Sequence, residues 1–100
     1  MYDMKNLSKL KTLEANAPEA IKAFFAFNKV AMAAGAIPSK YKELMALAVA
    51  FTTQCPYCIE IHGERAREAG ASEQEITEAV VVAAALRAGA AIGHGTHAIT

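Results

Sequence analysis

The chain carries no excess of charge: ten Lys and Arg residues balance ten Asp and Glu residues over its 100 positions. Nor is there a run of basic residues, so the electrostatic footprint of a nucleic-acid binder is missing, as is a polybasic membrane anchor. No apolar signal core follows Met1-Tyr2-Asp3-Met4-Lys5. The longest apolar run, Ala79 to Gly93, is interrupted by Arg87 and falls short of the roughly 20 apolar residues that span a bilayer. Cysteine is scarce. Two cysteines without an export signal argue against a secreted disulfide scaffold and for a reducing, cytoplasmic setting. Low-complexity tracts, repeats, linkers and convincing strand patterns are all lacking, and the length suits a single domain over residues 1–100.

What the chain does have is apolar side chains, 54% of the total and many of them alanine. A domain this small leaves part of such apolar area uncovered, which predicts a homo-oligomer. The periodicity predicts an all-α fold of four helical segments. The first spans about Pro18 to Ala34, with Ile21, Phe24, Phe25, Asn28 and Met32 near the i, i+3, i+4 rhythm and Gly35 as its stop. Upstream, Leu7, Leu10 and Leu13 mark a short amphipathic piece. A second segment covers roughly Ser39 to Phe51, until Thr52-Thr53-Gln54 breaks the apolar pattern. The third begins at the cysteine pair, because Pro56 suits a first helical position, and ends near Gly70. Ser72-Glu73-Gln74-Glu75 reads as a capping box opening a fourth helix to about Ala91, with Gly93-His94-Gly95 as a tail beyond it.

Cys55-Pro56-Tyr57-Cys58 carries the chemistry. This spacing serves either structural zinc or a reversible disulfide, and an inert buried pair is the plain alternative. Zinc normally takes four ligands, which would require His62, His94 and His97 to complete the set. His62 is too close in sequence, and the other two lie on a glycine-rich tail. The redox reading fits better. At about 100° per residue, Cys55, Cys58 and His62 fall within roughly 60° of one another on a helix face. Cys58 and His62 are an i, i+4 pair, and a helix N-terminus favours a thiolate. Spacing alone makes Glu43 no more than a first-turn acid that complements a helix dipole. His94 and His97 read as solvated residues whose spacing could also place them on one helix face. Tyr41, Phe24 and Phe27 read as core or interface aromatics.

The whole string alters that weighting. Glu43-Leu44-Met45-Ala46-Leu47-Ala48-Val49-Ala50 is followed by Cys55-Pro56-Tyr57-Cys58-Ile59-Glu60-Ile61-His62. Together they resemble the carboxymuconolactone decarboxylase superfamily, and within it the alkylhydroperoxidase D-like branch. The resemblance runs from about Ala17 to Ala98 and includes the Gly70-Ala71-Ser72 turn. It implies an all-α fold that assembles as a trimer, often a trimer of dimers. It also implies a peroxidase or disulfide reductase of antioxidant defence that cycles the cysteine pair, with Glu43 and His62 passing protons and no metal or organic cofactor. Peroxidases of the branch carry a histidine between the cysteines, where this chain has Tyr57. With a pKa near 10, tyrosine is a poor proton shuttle, so thiol–disulfide exchange is the firmer expectation.

The expected protein is therefore an oxidoreductase whose site residues are Cys58, Cys55, His62 and Glu43. Its partners would be a hydroperoxide or disulfide substrate, a dithiol or thioredoxin-like electron donor, and two or five further copies of itself. Cys58, beside His62, is expected to attack and Cys55 to resolve. The opposite order follows from the greater exposure of the first cysteine in such motifs. An oligomeric redox-sensing or interaction module, without efficient turnover, is the alternative. A lactone decarboxylase lacks this cysteine pair, and a zinc-binding module ranks below both.

Overall fold

The computed structural model describes all residues from Met1 to Thr100 and contains five α-helices and no strand. They are α1 (Leu10–Asn16), α2 (Pro18–Met32), α3 (Ser39–Thr53), α4 (Pro56–Glu68) and α5 (Glu73–Gly95), with 3₁₀ turns at Met4–Lys9 and Thr96–Ala98. The all-α expectation holds. The chain divides into two compact units, Met1–Ser39 and Lys40–Thr100.

The first unit is built on α1 and α2. Asp3 opens it by accepting a hydrogen bond from the Lys5 N–H at 2.9 Å. Ala17 then closes α1, its N–H donating to the Leu13 carbonyl at 2.8 Å, and Pro18 starts α2 where a missing N–H costs nothing. No residue of this unit is buried. Phe24 and Phe25 meet edge to face at 5.3 Å, and Phe24, Phe25, Phe27 and Val30 all stay exposed.

The second unit owns the core. Leu47 of α3, Ala66 of α4 and Ala71 of the following turn are its buried centre, with Leu44, Phe51 and Ile76 packed around them. Those positions share helix faces: Leu44, Leu47 and Phe51 repeat at i, i+3 and i+7. Gly63 is buried on α4 beside Leu47, where a Cβ would make ordinary van der Waals contact at 4.0 Å.

Two helix ends organise this unit. At the end of α4, Gly70 takes φ +96°, the Gly70 N–H bonds the Arg67 carbonyl at 3.0 Å, and the Ala71 N–H bonds the Ala66 carbonyl at 2.9 Å. This is a Schellman stop, with glycine in the left-handed conformation that it tolerates best. The capping box foreseen at Ser72 is present: Ser72 Oγ accepts from the Glu75 N–H at 3.0 Å, and Glu75 Oε1 accepts from the Ser72 N–H at 2.9 Å. The other end belongs to α3 and leads into the cysteines.

The last helix departs from expectation. α5 does not stop near Ala91 but runs through Gly93-His94-Gly95 and continues as a 3₁₀ turn to Ala98. Alanine-rich flanks carry the two glycines, each costing only about 1 kcal/mol relative to alanine. The resulting helix is long and apolar enough, by length and composition alone, to cross a membrane. The reading of this run as too short is corrected, because helix length is set by the backbone and not by the uninterrupted apolar stretch. Within the second unit its inward stripe is Ile76, Ala79 and Ala83, with Ala83 buried, and the exposed Arg87 follows one turn later. Val81, Val82, Leu86 and Ile92 are exposed.

Candidate active site

Cys55 stands at the junction of α3 and α4. Its N–H closes α3 by donating to the Ala50 carbonyl at 3.1 Å, while its side chain caps α4. Between these two tasks the chain must turn sharply, and Gln54 takes φ +57° to do so. For a non-glycine residue this left-handed geometry costs about 1–2 kcal/mol. Nearby carbonyls of α3 are met as well: Thr52 Oγ1 donates to Val49 O at 2.7 Å, and an Arg87 guanidinium N–H donates to Thr52 O.

The thiols are inequivalent. Both are free and partly buried. Cys55 has extended backbone angles and lies outside the helix as its N-cap, so the sequence-based angle count applies to Cys58 and His62 but not to Cys55. Cys55 Sγ accepts a hydrogen bond from the Cys58 N–H at 3.3 Å. A hydrogen bond from the Cys58 thiol, followed by those from the Cys58 and Tyr57 N–H groups, pulls the Cys55 thiol below its ordinary range. Cys58 moves the other way. Burial comes first, then the hydrogen bond to Cys55 and the negative charge on Cys55, pushing Cys58 up to about 11. Of the two thiols, Cys55, at the positive end of α4, is therefore the one that gives up its proton more readily. Of the two orders that the sequence left open, this inequivalence favours Cys55 as the attacking thiol.

His62 bonds a carboxylate, not a thiol. Its Nδ1 lies 2.6 Å from Glu43 Oε2, joining α4 to α3, and both side chains are largely buried. Glu43 is the one buried charged residue of the core, 8% exposed. The bond fixes the ring orientation and leaves Nε2 as the nitrogen not engaged with Glu43. His62 follows Cys58 by one helical turn, which assigns it the neighbourhood of the thiol that holds its proton most tightly. The second unit thus holds two bonded pairs, Cys55 with Cys58 at the start of α4 and Glu43 with His62 between α3 and α4, and His62 follows Cys58 by one turn. His94 and His97 do not join them; their rings pack edge to face at 5.0 Å at the end of α5. The described residues hold no group of three or more His, Cys, Asp or Glu side chains arranged for a metal ion.

Comparisons with known proteins place this helical fold in a family. The profile of the carboxymuconolactone decarboxylase family matches residues 18–100. The chain belongs to that family. Among solved structures, a carboxymuconolactone decarboxylase family protein from Legionella pneumophila, in its apo form, superimposes with a TM-score of 0.76. It is 29% identical, over 82% of this chain and 73% of that one. A protein from Methanobacterium thermoautotrophicum reaches a TM-score of 0.81 at 31% identity, over 88% of this chain and 99% of that one. By sequence, the chain is 51% identical to uncharacterized protein 4 in the cox locus of Paracoccus denitrificans, over 77% of this chain and 69% of that protein. An uncharacterized Haemophilus influenzae protein is 43% identical over 49% of this chain and 43% of its own length.

Family membership brings the fold, and the geometry adds residues that sequence reasoning missed. Gln54 gave no signal, because its left-handed turn is set by the junction and not by its side chain. Arg87 did leave a trace. It is the one lysine or arginine in the 23-residue α5, placed four residues after the buried Ala83.

Proposed function

We propose that this carboxymuconolactone decarboxylase family member is a thiol–disulfide oxidoreductase that cycles Cys55 and Cys58, reducing a hydroperoxide or a disulfide. The observation that carries the reading is the split between the thiols: Cys55 capped by the Cys58 N–H at 3.3 Å, Cys58 raised to about 11. One sulfur is prepared to attack and its neighbour to hold a proton until needed. The Glu43–His62 pair, 2.6 Å apart, supplies the acceptor for that proton.

With a hydroperoxide, the Cys55 thiolate attacks the terminal oxygen and the O–O bond breaks. The departing alkoxide takes a proton by way of His62, leaving an alcohol and a Cys55 sulfenic acid. Cys58 then yields its proton to His62 and attacks the sulfenic sulfur. Water leaves and the Cys55–Cys58 disulfide closes. Two thiols have lost two electrons and the peroxide has gained them. With a disulfide substrate, Cys55 forms a mixed disulfide and releases one thiol, and Cys58 displaces the second. An external dithiol or thioredoxin-like donor restores both thiols and is itself oxidised, which calls for a reducing compartment such as the cytoplasm. Tyr57 stands where peroxidases of the resembled branch carry a histidine, which makes disulfides the firmer of the two substrate classes.

The same reading includes a homo-oligomer of three or six copies. Val81, Val82, Leu86 and Ile92 on α5 are 55–75% exposed, an apolar face that a second copy of this chain would cover. A bilayer is the less suitable cover, because Arg87 on α5 would cost about 2.5–3.5 kcal/mol near a membrane centre. The deciding experiment is a steady-state assay crossing several hydroperoxides and disulfides with dihydrolipoamide and thioredoxin, run beside light scattering. Turnover that Cys55→Ser and Cys58→Ser both abolish supports the reading. A reversible disulfide without turnover would assign the redox-sensing module instead, and a monomer would defeat the assembly.

A further inference from the structure

Arg87 is out of keeping with its helix. It lies one turn after the buried Ala83, at the exposed end of the stripe formed by Ile76, Ala79 and Ala83. Its guanidinium donates to Thr52 O, a contact between residues 35 apart in sequence. Thr52 lies in the last turn of α3, where carbonyls have no partner within the helix and where the negative end of the helix dipole gathers. Three residues later comes Cys55, whose N–H is itself bonded to the Ala50 carbonyl at 3.1 Å.

The dithiol thus stands between two opposing helix ends. The N-terminus of α4 favours negative charge on Cys55 Sγ; the C-terminus of α3 opposes it. Cys58, Glu43 and His62 are the titratable groups that α3 and α4 hold in the two bonded pairs, and α5 contributes Arg87 as the fixed cation. We propose that Arg87 is a positioning residue for the dithiol: by holding the Thr52 carbonyl it fixes the turn that carries Cys55 and offsets the negative end of α3 beside that sulfur. The inference rests on the redox reading of the cysteine pair and assigns a role to a residue outside the cysteine motif. Arginine suits the task better than lysine, because its planar fork can hold a carbonyl while remaining charged at every working pH.

The test is the rate of Cys55 alkylation by iodoacetamide against pH, read by mass spectrometry for the parent, Arg87→Met and Arg87→Lys, with circular dichroism to establish folding. Arg87 is solvent-exposed, so its charge is screened and the effect is small. Loss of the charge in Arg87→Met moves the Cys55 midpoint up by about half a pH unit. Arg87→Lys, keeping the charge and losing the fork, falls between the two. A folded Arg87→Met with the parent's midpoint overturns the proposal, and equal shifts in the two variants overturn the part played by charge. Should Arg87→Met not fold, a folded Arg87→Lys with an unmoved midpoint overturns it as well. A parent in which Cys55 titrates as an ordinary thiol would instead defeat the redox reading itself, so the two failures are distinct.

Discussion

At the end of α3 the Cys55 N–H reaches back to Ala50 at 3.1 Å, and at the end of α4 the Ala71 N–H reaches back to Ala66 at 2.9 Å. Both helices stop with a left-handed residue, and a new helix begins almost at once. At α4 that residue is Gly70, and the next helix is capped by Ser72 with a reciprocal bond from Glu75. At α3 it is Gln54, and the next cap is the sulfur of Cys55, a weaker and longer acceptor at 3.3 Å. One junction uses the residues best suited to stability. The other carries backbone strain and a poor cap because its capping atom is the candidate nucleophile. Such strain at one of two similar turns is what the proposed role of Cys55 would account for.

The junctions should separate most widely in proton handling. Nothing at the Ser72 junction has to be deprotonated, whereas Cys58 has to lose a proton held up to about pH 11. His62→Ala should slow closure of the Cys55–Cys58 disulfide at neutral pH by about 10²–10⁴-fold, the usual contribution of a general base. The loss should shrink as pH climbs toward 11, where Cys58 ionises unaided. Glu43→Gln should show the same trend with a smaller loss. Rapid quenching and mass spectrometry after mild oxidation would follow the step, and closure at the parent's rate in His62→Ala at pH 7 would contradict the assigned role.

A smaller effect separates the two left-handed residues. Open space surrounds Gly70, so the cost of Gly70→Ala is that of the backbone alone, about 1–2 kcal/mol of lost stability. Gln54→Gly should do the reverse and stabilise the protein by about 1 kcal/mol, because its φ of +57° suits glycine. Denaturant melts at fixed protein concentration measure both. Destabilisation by Gln54→Gly would show that the glutamine side chain contributes something the strain argument omits.

The two junctions also differed in how far the sequence disclosed them. Ser72 and Glu75 three residues apart, after a glycine, announced a helix end and a capping box before any coordinates. Cys55, Pro56 and Cys58 announced a helix start, yet not that Cys55 would stand outside it, since a cap's extended backbone leaves no trace in periodicity. Glu43 was visible only through the family likeness; a buried acid in an apolar helix looks like any other until its histidine, nineteen residues away, is seen bonded to it. The length of α5 was misjudged because Gly93 and Gly95 resemble a tail and are tolerated inside an alanine-rich helix. Local signals, then, recorded the stable junction well. The reactive one depends on contacts from α3 and α5 that lie far away in sequence.

The central claim is that the Cys55 sulfur, at the strained junction, is the thiolate and Cys58 the reserve. It is tested most directly by following alkylation of each cysteine separately against pH in the reduced parent protein. The account predicts that Cys55 is labelled first, with a midpoint below that of an ordinary thiol, and that Cys58 lags with a midpoint near 11. Earlier labelling of Cys58, or a common midpoint for the two thiols, would contradict it.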